Sequence, residues 1–95
     1  MKAVYKYPLT MVDKQEVSIP TGAKILSIQV QHNQICIWAL VNTDNEFEKR
    51  TFILCGTGYS ISTELQLNFI GTVLLYEGEL VIHCFEETTD ETTIL

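Results

Sequence analysis

The sequence predicts an all-β domain, a compact antiparallel β-sandwich or roll of about seven short strands with little helix. Three observations carry the prediction. Apolar residues recur at every second position along several segments, the period of a half-buried strand. Turn signals punctuate the chain at short intervals, among them Pro20-Thr21-Gly22, His32-Asn33, Gly56-Thr57-Gly58 and Glu77-Gly78. The chain has 95 residues, 46% apolar and 19% charged, enough for one hydrophobic core and no second domain.

Residues 2–7, Lys-Ala-Val-Tyr-Lys-Tyr, alternate and stop at Pro8, whose missing N–H suits a strand end or an edge. A polar stretch at 10–14 leads to a second alternating segment, Glu16-Val17-Ser18-Ile19, closed by the turn at Pro20-Thr21-Gly22. In the next strand Leu26, Ile28 and Val30 are expected on one face, with Ser27, Gln29 and Gln31 on the other. His32-Asn33-Gln34 makes a tight connection to residues 35–41. There Ile35, Ile37, Ala39 and Val41 share one face while Cys36, Trp38 and Leu40 share the other. Both faces are apolar, so this strand is expected to be central and covered on two sides.

Residues 42–48 read as a polar loop, after which Lys49-Arg50 opens a strand over 51–55 that ends at Gly56-Thr57-Gly58. The segment 59–67 is read as a loop or a single turn: Ser62-Thr63-Glu64 resembles a helix cap, but the segment is marginal in length for a helix. Two apolar strands, 69–76 and 79–85, joined by Glu77-Gly78, close the domain as a hairpin. The folded unit is then residues 1–86. The segment 87–95 reads as an acidic tail with little to bury, for which disorder is the default.

Charge and composition exclude several function classes. The net charge is −6, from twelve acids against five lysines and one arginine, so the basic footprint of a duplex-binding protein is absent. Glu86, Glu87, Asp90 and Glu91 lie in the last ten residues, which assigns most of that charge to the tail. Cys36, Cys55 and Cys84 are odd in number, lack CxxC spacing and sit in apolar runs, as buried thiols of a reducing compartment do. No segment has the apolar length of a membrane span or the pattern of a signal peptide, so a cytoplasmic protein without membrane association is expected. No cofactor motif is present. His83 and Cys84 are adjacent on a strand and point to opposite faces, so they cannot hold one metal ion together.

The apolar pattern also bears on assembly. Residues 35–41, 51–55, 69–76 and 80–85 place apolar side chains on both strand faces, and a chain this short has few elements to cover them. Self-association is the simplest remedy, so a homo-oligomer with part of the second face as its interface is expected.

Five short pieces stand in a set order: Trp38-Ala39-Leu40-Val41, Lys49-Arg50-Thr51-Phe52, Gly56-Thr57-Gly58, Phe69-Ile70-Gly71-Thr72 and His83-Cys84-Phe85-Glu86. With Lys6-Tyr7 and the Pro20-Thr21-Gly22-Ala23 turn, this set resembles a widespread family of small uncharacterised bacteriophage proteins. The resemblance spans residues 3–86. It implies a phage or prophage origin and action in the cytoplasm of an infected bacterial host, and it supplies no settled activity.

Candidate ligand-binding residues follow from their chemistry. Backbone N–H groups of Gly56, Thr57 and Gly58, with Tyr59 next to them, can form an anion-binding nest, although a glycine-rich turn needing positive φ is the favoured account of the glycines. No GxxxxGK[ST] pattern accompanies them. Lys49 and Arg50 begin the same strand, roughly 17–20 Å from the glycines at strand rise, so one phosphate cannot easily meet both ends. Arg50, the only guanidinium, can grip a phosphate, or instead pair with an acid such as Glu48 or Glu79. Trp38, the sole tryptophan, can stack on a base or fill the core. His83 can serve as an acid, base or ligand donor, against the alternative of a half-buried structural histidine. For catalysis the inventory is thin: Ser60 and Ser62 lack a GxSxG elbow, Cys55 lacks a histidine partner in sequence, and nothing singles out a pair among Glu64, Glu77 and Glu79.

The reading these features favour is a non-enzymatic phage accessory protein that buries a small anionic, nucleotide-like ligand in an oligomer pocket and so removes a host defence signal. Two other classes compete with it. One is a protein-binding module that docks on a host or phage protein through strand edges or the acidic tail. The other is a small hydrolase acting on a nucleotide.

Overall fold

A computed structural model describes residues 1–61 and 66–88. The chain forms β1 (Lys2–Pro8), β2 (Lys14–Pro20), β3 (Lys24–Gln31), β4 (Gln34–Asn42), β5 (Phe47–Gly56), β6 (Gln66–Leu75) and β7 (Leu80–Thr88), with no helix among the described residues. They pair antiparallel in a three-stranded sheet of order β1-β4-β3 and a four-stranded sheet of order β2-β5-β7-β6. The molecule is 16 Å through its thin direction, the depth of two sheets packed about 10 Å apart. The all-β sandwich predicted from alternation is the fold observed.

The core lies between the sheets. Ile35, Ile37, Ala39 and Val41 line the inner face of β4, and Phe52, Leu54, Ile82 and Cys84 face them from β5 and β7. Phe52, Ile37 and Ala39 are fully buried, and each large apolar side chain so placed contributes about 1.5–3 kcal/mol. β4 is central, as its two-faced apolar sequence requires. Its outer face is covered unevenly: Cys36 is buried, while Trp38 and Leu40 are half-buried.

The chain changes sheet between β1 and β2, β2 and β3, and β4 and β5. Side chains tie these crossings down. The Gln15 amide donates to the Thr10 carbonyl and accepts from the Thr10 N–H, closing the first connection. The Thr21 N–H and hydroxyl both donate to the Glu46 carbonyl, and the Asn45 amide donates to the Thr21 carbonyl, which fastens the second and third together.

Several boundaries differ from the sequence expectation. Leu26 is not a core residue: a bulge between Ile25 and Ser27 sends it outward, and Ile25 takes the position opposite Ala39. A second bulge lies between Phe69 and Gly71 in β6, the strand that packs beside β3. β5 starts at Phe47 rather than Thr51, so Lys49 and Arg50 are interior strand residues and the loop before them is shorter. β7 continues to Thr88, and both Glu86 and Glu87 are buried, so these two acids belong to the sheet and not to a solvated tail. Of the segment 59–67 expected to be a loop or turn, residues 62–65 lie outside the described residues, as does the tail beyond 88, while Gln66 and Leu67 already belong to β6.

Two glycines have conformational or packing reasons to be glycine. Gly58 closes the turn after β5 with φ +86°. Gly71 faces β3 so closely that a Cβ there would stand 2.7 Å from Ile28 Cγ2.

Candidate functional site

The register separates the sequence-predicted ligand residues into three places. Arg50 and Lys49 are neighbours on β5 and point to opposite faces, Lys49 outward opposite Ser18 and Arg50 inward opposite Val17. Inside, Arg50 Nε donates to Glu86 Oε2 at 2.6 Å and Nη2 donates to Glu86 Oε1 at 2.8 Å, a bidentate pair. Nη1 donates to the Ala23 carbonyl in the β2–β3 turn. The guanidinium's pKa is raised, mainly by its hydrogen bonds to Glu86. Each of its three nitrogens donates one of these bonds, which hold the β2–β3 turn against β7, so the structural pairing is the role observed, with Glu86 rather than Glu48 or Glu79 as the acid. The pair forms the floor of a cleft of about 350 Å³ beside the two bulges.

The glycine turn and His83 do meet. Cys55 of β5 and Thr72 of β6 flank His83 in register, so the imidazole stands on the outer face of the four-stranded sheet. Thr57 Oγ1 lies 2.7 Å from its Nε2 and Thr72 Oγ1 lies 2.8 Å from its Nδ1. A neutral imidazole donates through one nitrogen and accepts through the other, so one hydroxyl donates to the ring and the other accepts from it. Thr57 and Thr72 are exposed, His83 is half-buried, and Tyr59 leaves the turn with 77% of its surface open. Next to this cluster a cleft of about 520 Å³ opens between the end of β5 and residues 59–61, with Asp13 and Lys14 at its rim and Ile53 and Ile82 in its wall. Its size lies within the range of small-molecule sites. On the same outer face, Phe69 and Phe85 stack edge to face at 5.4 Å, and Phe69 is 61% exposed.

Trp38 lies elsewhere, on the outer face of the three-stranded sheet. Directly opposite it stand Lys6 of β1 and Ser27 of β3. The same face carries Lys2 opposite Asn42 and Lys24 opposite Leu40, and Val4 fills the gap between the two β1 lysines. Lys6 Nζ donates to Gln31 Oε1 at 2.8 Å. β1, β3 and β4 contain no Asp or Glu at all. In a chain with twice as many acids as bases, this sheet is purely cationic. Trp38 and His83 therefore cannot grip one small ligand within a single chain, because they stand on the outer faces of opposite sheets.

Sequence reasoning missed Thr72 and the lysine set. Lys2 and Lys6 share a strand face by simple alternation, which was a usable signal. Lys24 and Thr72 join their neighbours only through cross-strand pairing, for which the sequence offers no local mark. Among the described residues no group of histidine, cysteine and acid side chains is arranged to hold a metal ion.

Comparison with known proteins adds a family and no activity. No curated protein and no solved structure matches the chain. The model of a domain of unknown function, DUF7352, matches residues 1–94, so the chain belongs to that family.

Proposed function

We propose that this member of the family is a non-enzymatic accessory protein of phage origin that binds and sequesters a small anionic, nucleotide-derived signalling molecule in the cytoplasm of an infected bacterial host. The observation that carries the reading is the Thr57–His83–Thr72 cluster beside the glycine turn. The imidazole fixes both hydroxyls, and the donors left for an anionic ligand are the O–H of the threonine that accepts from the ring and the N–H groups of the adjoining turn. Tyr59 supplies an exposed ring for a base, and the neighbouring cleft supplies volume. Arg50 has no part in the site, since Glu86 holds it inside the sandwich.

The site is open on one side, and assembly would close it. Phe69 and Phe85 lie on the same outer face as His83, so a second copy seated on that pair would cover the imidazole and complete an enclosed pocket. Native mass spectrometry of the full chain purified from cells that make nucleotide-derived signals tests both parts. The expected spectrum shows a multiple of the chain mass with a retained ligand that heat releases chemically unchanged. His83→Ala and Thr57→Val should each lose the ligand while keeping the wild-type circular dichroism spectrum. A monomer that retains nothing, or a ligand recovered as a different compound, would overturn the proposal.

A further inference from the structure

The outer face of β1-β4-β3 carries a separate set of groups. Trp38 sits at its centre, with Lys6 directly across one strand boundary and Ser27 across the other. Lys2 and Lys6 are four residues apart on β1, about 13 Å at strand rise, and Lys24 stands two strands away, about 10 Å across the sheet. No ion pair joins Lys2, Lys6 or Lys24 to a carboxylate among the described residues. Gln29 and Gln31 share the face with the exposed apolar side chains of Val4 and Leu26, and no other aromatic on the three strands joins Trp38 there.

We infer that this face binds single-stranded nucleic acid, with one base stacked on Trp38 and the backbone phosphates neutralised by Lys2, Lys6 and Lys24. The charge is complementary and local: at physiological salt the Debye length is about 8 Å, so the acids of the other sheet are largely screened from it. Lysines are flexible point charges that follow a backbone without reading sequence, and an indole stacks on any base. An acidic peptide would be gripped best by a bidentate arginine, and the chain's one arginine is committed inside the sandwich. A duplex keeps its bases in the stack and away from a half-buried ring on a flat sheet, so strand separation is part of the specificity. The inference is independent of the ligand proposed for the His83 cluster, which lies on the opposite face of the sandwich.

The test uses the full chain and a fluorescein-labelled oligothymidylate of about ten nucleotides, within the usual span of roughly 4–16 for such sites. Anisotropy should show saturable binding, with the logarithm of the association constant falling against log salt at a slope near −2, about −0.7 for each of three neutralised phosphates. Emission from Trp38, the only tryptophan, should be quenched on the same titration. Lys6→Glu combined with Lys24→Glu should weaken binding more than about tenfold, and Trp38→Ala by about fivefold or more. All three substitutions are on one solvent-facing surface, and urea midpoints will show whether the fold is kept. The conservative pair Lys6→Gln and Lys24→Gln should lie between wild type and the reversals. His83→Ala and Thr57→Val should bind the oligonucleotide like wild type, which separates this site from the other. Absence of binding at low salt, binding indifferent to salt, or equal affinity of the charge-reversed variant would overturn the inference. So would dissociation of an oligomer into monomers by Lys6→Glu and Lys24→Glu, because the face would then belong to a second copy of the chain.

Discussion

At the end of the four-stranded sheet, Glu86 and Glu87 are buried and each meets a cation, Arg50 at 2.6 Å and Lys14 at 3.1 Å. On the outer face of the three-stranded sheet, Lys2, Lys6 and Lys24 stand in water with no acid on any strand of that sheet. The contrast follows from solvation. A carboxylate taken out of water is tolerated only with hydrogen-bonded compensation, whereas an exposed ammonium is stable alone and stays available. Charges of the first kind are part of the architecture, and charges of the second kind are free to recruit a ligand.

Breaking the buried pair should have the largest effect. Arg50→Ala strands the Glu86 carboxylate and removes the donor to the Ala23 carbonyl, and it should cost about 2–4 kcal/mol in urea unfolding, somewhat below a fully buried pair because both side chains retain slight exposure. Replacing both partners, Arg50→Met with Glu86→Leu, should recover most of that loss. If the double variant is as unstable as Arg50→Ala, the cost lies in the Ala23 contact and not in the stranded charge.

Next in size is Gly71→Ala. Its new Cβ meets Ile28 across the seam where the two sheets touch, and overpacking of that kind costs about 1–3 kcal/mol. Adding Ile28→Val, which removes a methyl from the contact, should return part of it.

Cys84 extends the comparison to a buried thiol two residues before Glu86 on β7. Burial, and secondarily the nearby Glu86, push its thiol up to about 12. Because the folded value exceeds the unfolded one, this group's contribution is intact below about pH 9 and is lost as pH rises toward 12. Stability should therefore fall by about 1 kcal/mol between pH 8 and 10, and that slope should be absent in Cys84→Ala even though the variant is less stable throughout. An unchanged slope in the variant would assign the alkaline sensitivity elsewhere.

The smallest expected effect is on the open face. Lys6→Glu with Lys24→Glu should leave the unfolding free energy within about 0.5 kcal/mol of wild type, since neither lysine pairs with a carboxylate among the described residues. A larger loss in the same urea titration would make these cations structural and erase the distinction between the sheets.

Much of the fold was legible because strand burial writes itself into alternation. Ile35, Ile37, Ala39 and Val41 announce one buried face, and His32-Asn33 announces a hairpin that the structure makes with φ of 52° and 62°. Leu26 was misread because a bulge adds one residue to one strand and inverts the facing of what precedes it, an event with no local signature here. The site was less legible than the fold. Gly56, Thr57 and Tyr59 stay together because they adjoin in sequence, yet Trp38, Arg50 and His83 are separated by the register, Trp38 and His83 on opposite outer faces and Arg50 between the sheets.

By itself the sequence determined an all-β chain, its central strand, its turns and an inventory of one tryptophan, one arginine and an acidic excess. Those properties depend on neighbours one to four residues away, which is the range that periodicity and turn chemistry report. Only the tertiary structure decided which charges are spent and which are free. Arg50 and Glu86 are 36 residues apart, Lys6 and Trp38 meet across β1 and β4, and His83 reaches Thr57 and Thr72 from two other strands. Strand order and register set all of these pairings, and they are products of global packing that no local window of sequence contains.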